Sequence, residues 1–245
     1  GVIAIEDNKP EAIEAMTHAC EGDANLSVLP VMAKYPEGGE RSLIGVVTGR
    51  QLRFGQLPAD LGCVVCNVST LNAIYRAVCK TEPLMGRLFT VSGDAVANPH
   101  TLFVRIGTSC SELLEAAGGI KPGSEARKIL CGGPMMGIAM STLDAPIAKN
   151  NNALTVLASD EVELAEQQMT ACLRCGRCGH VCPIGLVPQM MAEAAERQDY
   201  ERYEKKLYGL DCIACGSCTY ICPAKRPLMQ LFKQTKAVIM AAKRK

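Results

Sequence analysis

Eight of the fourteen cysteines fall in two copies of one pattern, C-x2-C-x2-C-x3-C-P. The first copy is Cys172, Cys175, Cys178, Cys182 and Pro183; the second is Cys212, Cys215, Cys218, Cys222 and Pro223, so each member recurs 40 residues later. A triplet at this spacing wraps a loop around an iron–sulfur cubane and offers it three thiolates, while the fourth cysteine, carried past the loop, ligates the other cubane where two are present. That rule predicts one [4Fe–4S] cluster held by Cys172, Cys175, Cys178 and Cys222, and a second held by Cys212, Cys215, Cys218 and Cys182. The chemistry is one-electron transfer. Zinc would be satisfied by two C-x2-C pairs and gives no reason for a third cysteine and a C-P in each copy. Tight C-x2-C-x2-C loops are poor geometry for disulfides, and no secretory signal precedes them. Gly176, Gly179, Ala214, Gly216 and Ser217 fill the gaps, small enough for backbone amides to approach the inorganic sulfides and tune the potential.

Charge around these loops has a direction. Four thiolates leave each cubane net negative, and Arg174, Arg177, Lys225 and Arg226 lie within or just beyond the loops. Nearby cations stabilise the reduced state and raise the potential, to an extent that solvent screening limits. Replacing Arg177 with Ala is therefore expected to lower at least one midpoint potential. His180 is surplus to eight thiolates, and His18 and His100 read as ordinary helix and loop residues. Cys20, Cys63, Cys66, Cys79, Cys110 and Cys131 read as buried small hydrophobes.

A chain of 245 residues with 48% apolar composition can bury more than one core, so two or three compact units are expected. A net charge of +1 argues against a nucleic-acid binder. No apolar run approaches the ~18 residues that a membrane-spanning helix needs. Cysteine-rich composition without secretory features points to a reducing compartment. The chain opens at Gly1, directly into a strand pattern, which suggests a missing N-terminal portion.

In chain order, Val2 to Ile5 reads as a strand, followed by a helix over 10–20, with Asn8 and Glu11 spaced as a capping box. Leu26 to Met32 is a second apolar run. A helix from Glu40 to Thr48 is closed by Gly49, Gly62 to Val68 reads as a third strand, and Ser69 opens a helix reaching Lys80. This alternation predicts a parallel α/β sheet, about half of a doubly wound domain, with no G-x-G-x-x-G. Leu88 to Ser92 and Leu102 to Ile106 form a hairpin through Gly93 to Pro99. Ser109 and Glu112 cap a helix that ends at Gly118-Gly119, and Lys128 to Leu130 is a further strand. The ββαβ order predicts a small β-grasp-like module. Its Gly132-Gly133-Pro134-Met135-Met136-Gly137 turn serves as a tight structural loop or as a ligand cradle.

After the strand-like 153–157, the chain becomes helical. Ser159 is expected to cap the helix that delivers Cys172. Met190, Met191, Ala194 and Ala195 form one apolar face of a helix that breaks near Gln198-Asp199, and the charged 200–208 should face water. Leu228, Leu231, Phe232, Val238 and Ile239 recur at helical spacing on a terminal helix. Its basic end, Lys243-Arg244-Lys245, suits the helix dipole or a docking partner or anionic lipid surface.

Together Glu6-Asp7-Asn8-Lys9-Pro10-Glu11-Ala12-Ile13, Tyr35-Pro36-Glu37-Gly38-Gly39-Glu40, Asn67-Val68-Ser69-Thr70, the Gly132 to Gly137 turn and the doubled cysteine quartet resemble, in this order, the C subunit of the Rnf electron-transport complex. The resemblance spans essentially the whole chain, and that family in turn resembles the flavin subunit of respiratory complex I. It implies a multidomain α/β plus α protein: part of a Rossmann-like FMN/NADH domain over 1–84, a β-grasp (soluble-ligand-binding) domain with its connecting segment over 85–158, and an all-helical two-cluster ferredoxin domain over 159–245. The family's N-terminal lipoyl-like domain and glycine-rich flavin loop have no counterpart here, so these 245 residues alone are expected not to oxidise NADH.

The implied route carries a hydride from NADH to FMN, then single electrons through two clusters to other subunits and indirectly to ferredoxin, while a membrane complex moves Na+ or H+. FMN is needed because hydride carries two electrons and each cluster accepts one. By the resemblance, Gly38 and Glu40 correspond to a flavin-site glycine and acid, and Asn67 and Thr70 to the turn that helps close the pocket. Gly39 stands where complex I has a second acid. From the residues alone, Glu40 and Asn67 serve equally as helix-start and turn residues. The implied location is peripheral, on the cytoplasmic face of the cell membrane. A flavin and iron–sulfur corrinoid reductase, or a non-catalytic electron-relay module, would use the same architecture.

Overall fold

The computed structural model describes residues 1–244; the last residue of the basic tail, Lys245, lies outside the described residues. The chain opens with strand β1 (Val2–Glu6), helix α1 (Pro10–Ala19), strand β2 (Ser27–Val31) and helix α2 (Glu40–Thr48). β1 and β2 pair in parallel, Val2 opposite Ser27 through Glu6 opposite Val31, the right arrangement for a strand–helix–strand crossover. Pro10 begins α1, where its missing N–H costs nothing. Lys9, not Asn8, is the N-cap, and the Asn8 side chain accepts instead from Lys9 Nζ, so the expected capping box does not form. Gly49 ends α2 at φ 70°, as expected from the sequence.

Residues 62–68 do not form the expected strand. Pro58–Leu61 make a 3-10 turn ended by Gly62 at φ 68°, and the Cys63 amide bonds back to the Pro58 carbonyl. Backbone groups spent on that turn are not offered to a neighbouring strand, and Val64 is left 87% exposed. Helix α3 (Val68–Lys80) follows, its N-cap Asn67 accepting from the Ser69 amide.

Next come β3 (Gly86–Ser92), β4 (His100–Arg105), α4 (Cys110–Ala116), β5 (Lys128–Cys131), β6 (Ile138–Ala139) and β7 (Ala153–Leu157). They build a five-stranded mixed sheet in the order β4-β3-β7-β5-β6, in which only β3 and β7 run parallel. β7, the strand-like stretch expected to follow the β-grasp module, is the middle strand of its sheet. Leu154, Thr155 and Val156 are all buried, as a strand covered on both faces requires. Phe89, Val91, Val104, Leu113, Leu114, Leu154 and Val156 form the core beneath α4. Ser109 and Glu112 make the expected capping box. Gly93 has φ 121°, and a Cβ there would lie 1.9 Å from the Val156 carbonyl oxygen, so the hairpin can reach β7 only with glycine at this corner.

The remainder is helical: α5 (Glu161–Gln167), α6 (Arg177–His180), α7 (Pro188–Glu196), α8 (Ser217–Tyr220) and α9 (Leu228–Lys243). Asp160, one residue beyond the expected Ser159, caps α5. Between α7 and α8 lie a π turn (Arg202–Lys206) and a 3-10 turn (Gly209–Asp211). This charged stretch does not lie wholly in water, because Tyr203 is fully buried and packs on Phe232 with ring centroids 6.3 Å apart. Of the six cysteines outside the quartets, only Cys110 is buried; burial pushes its thiol pKa up, while Cys66 and Cys79 are exposed on or beside α3. A single apolar neighbour or two along a helix does not carry a cysteine into a core.

The chain forms two compact units. One comprises Gly1–Val65, Gly176–Ile213 and Gln230–Lys245, and the other comprises Cys66–Cys175 and Ala214–Met229. No described helix is long and apolar enough to cross a membrane.

Candidate iron–sulfur centre

Each cysteine quartet is carried on the same backbone path. Arg174 and Ala214, which precede the second cysteine of each copy, both have φ 54°; Gly176 and Gly216, which follow it, have φ 76° and 86°; Gly185 and Lys225, three residues past the last cysteine, have φ 71° and 53°. Left-handed residues at alternate positions build concave runs of backbone N–H groups, the nests found at many phosphate and iron–sulfur sites. Three of these six residues are not glycine, and left-handed backbone in other residues is uncommon enough to point to a local demand. The third cysteine of each copy then sits on a four-residue helix, α6 or α8.

None of the fourteen cysteines is joined in a disulfide. Cys172 and Cys175 are exposed, Cys215 is buried, and the other five quartet members are intermediate. The Leu186 amide donates to Cys182 Sγ at 3.3 Å, a contact that favours the thiolate. Cys178 Sγ lies 3.3 Å from Gln189 Oε1. Among the described residues, no group of three or more His, Cys, Asp or Glu side chains is gathered to hold a single metal ion. Cys178, Cys182 and Cys212 belong to the first compact unit and the other five quartet cysteines to the second. Of the cations expected near the loops, Arg174, Arg177 and Lys225 are exposed and Arg226 is intermediate.

Sequence reading missed a polar network at the entrance to the second quartet. Asp211, immediately before Cys212, accepts from Arg41 Nη1 at 3.4 Å and from the Phe54 amide. Arg41 also donates to the Asp211 carbonyl at 3.1 Å and to the Arg53 carbonyl at 3.0 Å. From α9, Lys236 donates to the Leu210 carbonyl at 2.8 Å and the Cys212 carbonyl at 3.4 Å, with its ammonium 5.0 Å from the centroid of the Phe54 ring. Burial pushes the Lys236 pKa down, with Arg41 adding to the shift; Cys212 and Asp211 oppose it. The only sequence signal is that Lys236 shares a helix with a core stripe.

The four residues matched to a flavin site are divided. Gly38 and Glu40 are exposed at the start of α2 in the first unit, while Asn67 and Thr70 are exposed at the start of α3 in the second. Thr70 lines a groove of about 790 Å³ whose other walls include Arg76, Arg87, Leu88, Phe103 and Arg105. Two residues that sequence reading passed over flank Gly38 and Glu40: the buried Glu37 Oε1 and Ser42 Oγ have no hydrogen-bond partner. Buried oxygens are ordinarily paired, so two in one six-residue stretch mark it as suited to a polar ligand. A Cβ on Gly39 would come 3.0 Å from the Pro36 carbonyl oxygen, a close contact that a larger residue could occupy only with a small shift.

Three family models match consecutive parts of the chain: the Nuo51 FMN-binding domain over residues 1–76, the SLBB domain over 88–139 and the 4Fe-4S dicluster domain over 171–226. The C subunit of the proton-translocating ferredoxin:NAD(+) oxidoreductase complex of Clostridium ljungdahlii is 45% identical over 240 residues, 98% of this chain and 51% of that protein. Its counterpart in the Na(+)-translocating ferredoxin:NAD(+) oxidoreductase complex of Acetobacterium woodii is 41% identical over all 245 residues and 54% of its own length. The chain is homologous to the C subunits of the Rnf complexes. The corresponding protein of the Yersinia pestis ion-translocating oxidoreductase complex is 42% identical over 98% of this chain and 38% of its own length, so this chain spans about half or less of the Rnf proteins it matches. The fold is also shared with a chain of an NAD+-reducing [NiFe]-hydrogenase, at a TM-score of 0.54 and 22% identity over 96% of this chain and 48% of that one. The three matched domain types agree with a multidomain layout of mixed α/β and helical parts, and with FMN and [4Fe–4S] clusters as the cofactors of this family.

Proposed function

We propose that this chain is the electron-transfer part of a membrane-bound, ion-translocating ferredoxin:NAD oxidoreductase. Electrons pass between NAD(H) and FMN at one end and partner subunits at the other, through two [4Fe–4S] clusters. Residues 1–84 supply part of a Rossmann-like flavin domain, 85–158 a β-grasp domain and 159–245 a two-cluster ferredoxin domain. The protein sits peripherally on the cytoplasmic face, held by the other members of the complex, with ferredoxin reached indirectly.

The observation that carries this reading is the doubled cysteine loop, in which residue types and left-handed backbone positions repeat together at a 40-residue interval. Eight thiols, a sulfur-directed amide and loops with the turns of N–H nests suit clusters whose sulfides accept hydrogen bonds. Cys172, Cys175, Cys178 and Cys222 would hold one cluster and Cys212, Cys215, Cys218 and Cys182 the other. Bound there, the clusters supply one-electron carriers. FMN, where bound, converts the two-electron chemistry of hydride into single electrons. Gly38 and Glu40, with the orphaned oxygens of Glu37 and Ser42, would bind and orient its polar groups; Asn67 and Thr70 would close the pocket.

Iron and acid-labile sulfide analysis of the anaerobically loaded chain, with electron paramagnetic resonance of the reduced protein, tests the reading. Two interacting cubanes are expected. Cys222→Ser should damage the cluster of the first triplet and Cys182→Ser that of the second. If each variant instead damages the cluster of its own triplet, the exchanged ligation is wrong; a zinc-loaded protein without labile sulfide would end the electron-transfer reading.

A further inference from the structure

The two cysteine loops repeat in backbone, but their surroundings do not repeat in charge. Lys236 on α9 holds the Leu210 and Cys212 carbonyls from behind the second loop, and its half-buried ammonium faces the Phe54 ring instead of open water. At the same register 40 residues earlier stands Glu196, an exposed carboxylate at the end of α7. The residue before the first cysteine differs too: Asp211 in the second copy, Ala171 in the first. Thus a cation and a carboxylate attend the second loop where the first has, in register, a carboxylate and a methyl group.

We infer that Lys236 is a positioning residue that raises the midpoint potential of the cluster ligated through Cys212. The inference rests on the cluster ligation proposed above. Each one-electron reduction adds one negative charge to a cluster and its thiolates, and a fixed cation nearby stabilises that added charge. Partial burial makes the effect larger than at the exposed Arg174, Arg177 or Lys225, because salt and water screen an enclosed charge less. Asp211 acts in the opposite sense, and its own position is held by Arg41 and the Phe54 amide. Arg41 adjoins Glu40, so one side chain ties the segment matched to the flavin site to the residue before Cys212.

The test is a potentiometric titration of the anaerobically loaded full chain, followed by electron paramagnetic resonance. The cluster of interest is identified as the one whose signal is lost in Cys212→Ser. Lys236→Met should lower that midpoint enough to change its reduced-to-oxidised ratio at fixed potential by tenfold or more, which is about 59 mV for one electron. The other cluster should move much less. Lys236→Arg should restore the wild-type midpoint. Asp211→Asn, which keeps an acceptor for Arg41 and Phe54, should raise it. A merely structural role would shift Lys236→Met and Asp211→Asn in the same direction and would leave Lys236→Arg impaired; either result, or an unmoved midpoint in Lys236→Met, overturns the inference. Should Lys236→Met fail to fold, Lys236→Gln, which keeps a donor for the Leu210 and Cys212 carbonyls without the charge, decides, and an unmoved midpoint is the refuting result. Wild-type protein without cubane signals would overturn the ligation reading itself, and this inference with it.

Discussion

Gly209→Ala puts a methyl group where the molecule has no room for one. A Cβ at this position would lie 2.2 Å from Tyr203 Cε1, 2.4 Å from Cζ and 2.6 Å from Cδ1, against an ordinary carbon–carbon separation of about 3.5–4.0 Å. The neighbour is a ring, not the end of a flexible side chain. Tyr203 is fully buried, and Phe232, itself only 2% exposed, packs against it. Overpacking of this kind costs about 1–3 kcal/mol, and so deep an overlap belongs at about 3. The unfolded chain loses freedom when alanine replaces glycine, which returns about 0.4–1 kcal/mol. The net loss is about 2 kcal/mol, or a fall in melting temperature of roughly 4–8 °C for a chain of this size. Because Gly209 lies three residues before Cys212, the same variant should also lose iron faster from the second cluster. Differential scanning calorimetry and timed iron release measure the two effects, and adding Tyr203→Leu should recover part of the melting temperature. A Gly209→Ala protein that melts within a degree of wild type would refute the packing argument.

The remaining expectations concern charge. Asp160 is raised by burial but lowered more by hydrogen bonds from Lys128 and the Val162 amide and by the Lys128 charge, so its pKa lies below the usual carboxylate range. Its stabilising contribution is therefore complete above that range and is lost as pH falls through the depressed folded value. The urea midpoints of wild type and Asp160→Asn should differ at neutral pH and converge in strong acid; a gap independent of pH would disprove this assignment. Arg177→Ala should lower one cluster midpoint, but by less than Lys236→Met, since Arg177 is exposed. A redox titration giving the reverse order would show that loop proximity outweighs burial.

Short-range chemistry made much of the fold legible. Gly49 and the Ser109–Glu112 pair end or begin helices through contacts within four residues, and such contacts are written in the local sequence. The cysteine loops are legible for the same reason, since one iron–sulfur group must be reached by a short stretch of chain. Readings failed where the deciding partner was distant or the nearest competitor stronger. Gly62 turned an apolar run away from a sheet, and Lys9 displaced Asn8 as the helix cap. Tyr203 is drawn inward by Phe232, 29 positions away, against the charges beside it. The Arg41–Asp211–Lys236 network was illegible because it joins residues up to 195 positions apart, and no spacing rule relates them.

The left-handed turns at Arg174, Ala214 and Lys225 carry a further consequence. Side-chain-bearing residues hold that geometry at a cost of order 1 kcal/mol each, and metal binding can offset it by coupling to folding. Stripped of iron, these loops should relax toward ordinary backbone and forget the shape of the group they enclosed. Oxidative damage would then be a conformational event as well as a chemical one, and repair would have to rebuild the cradle along with its contents.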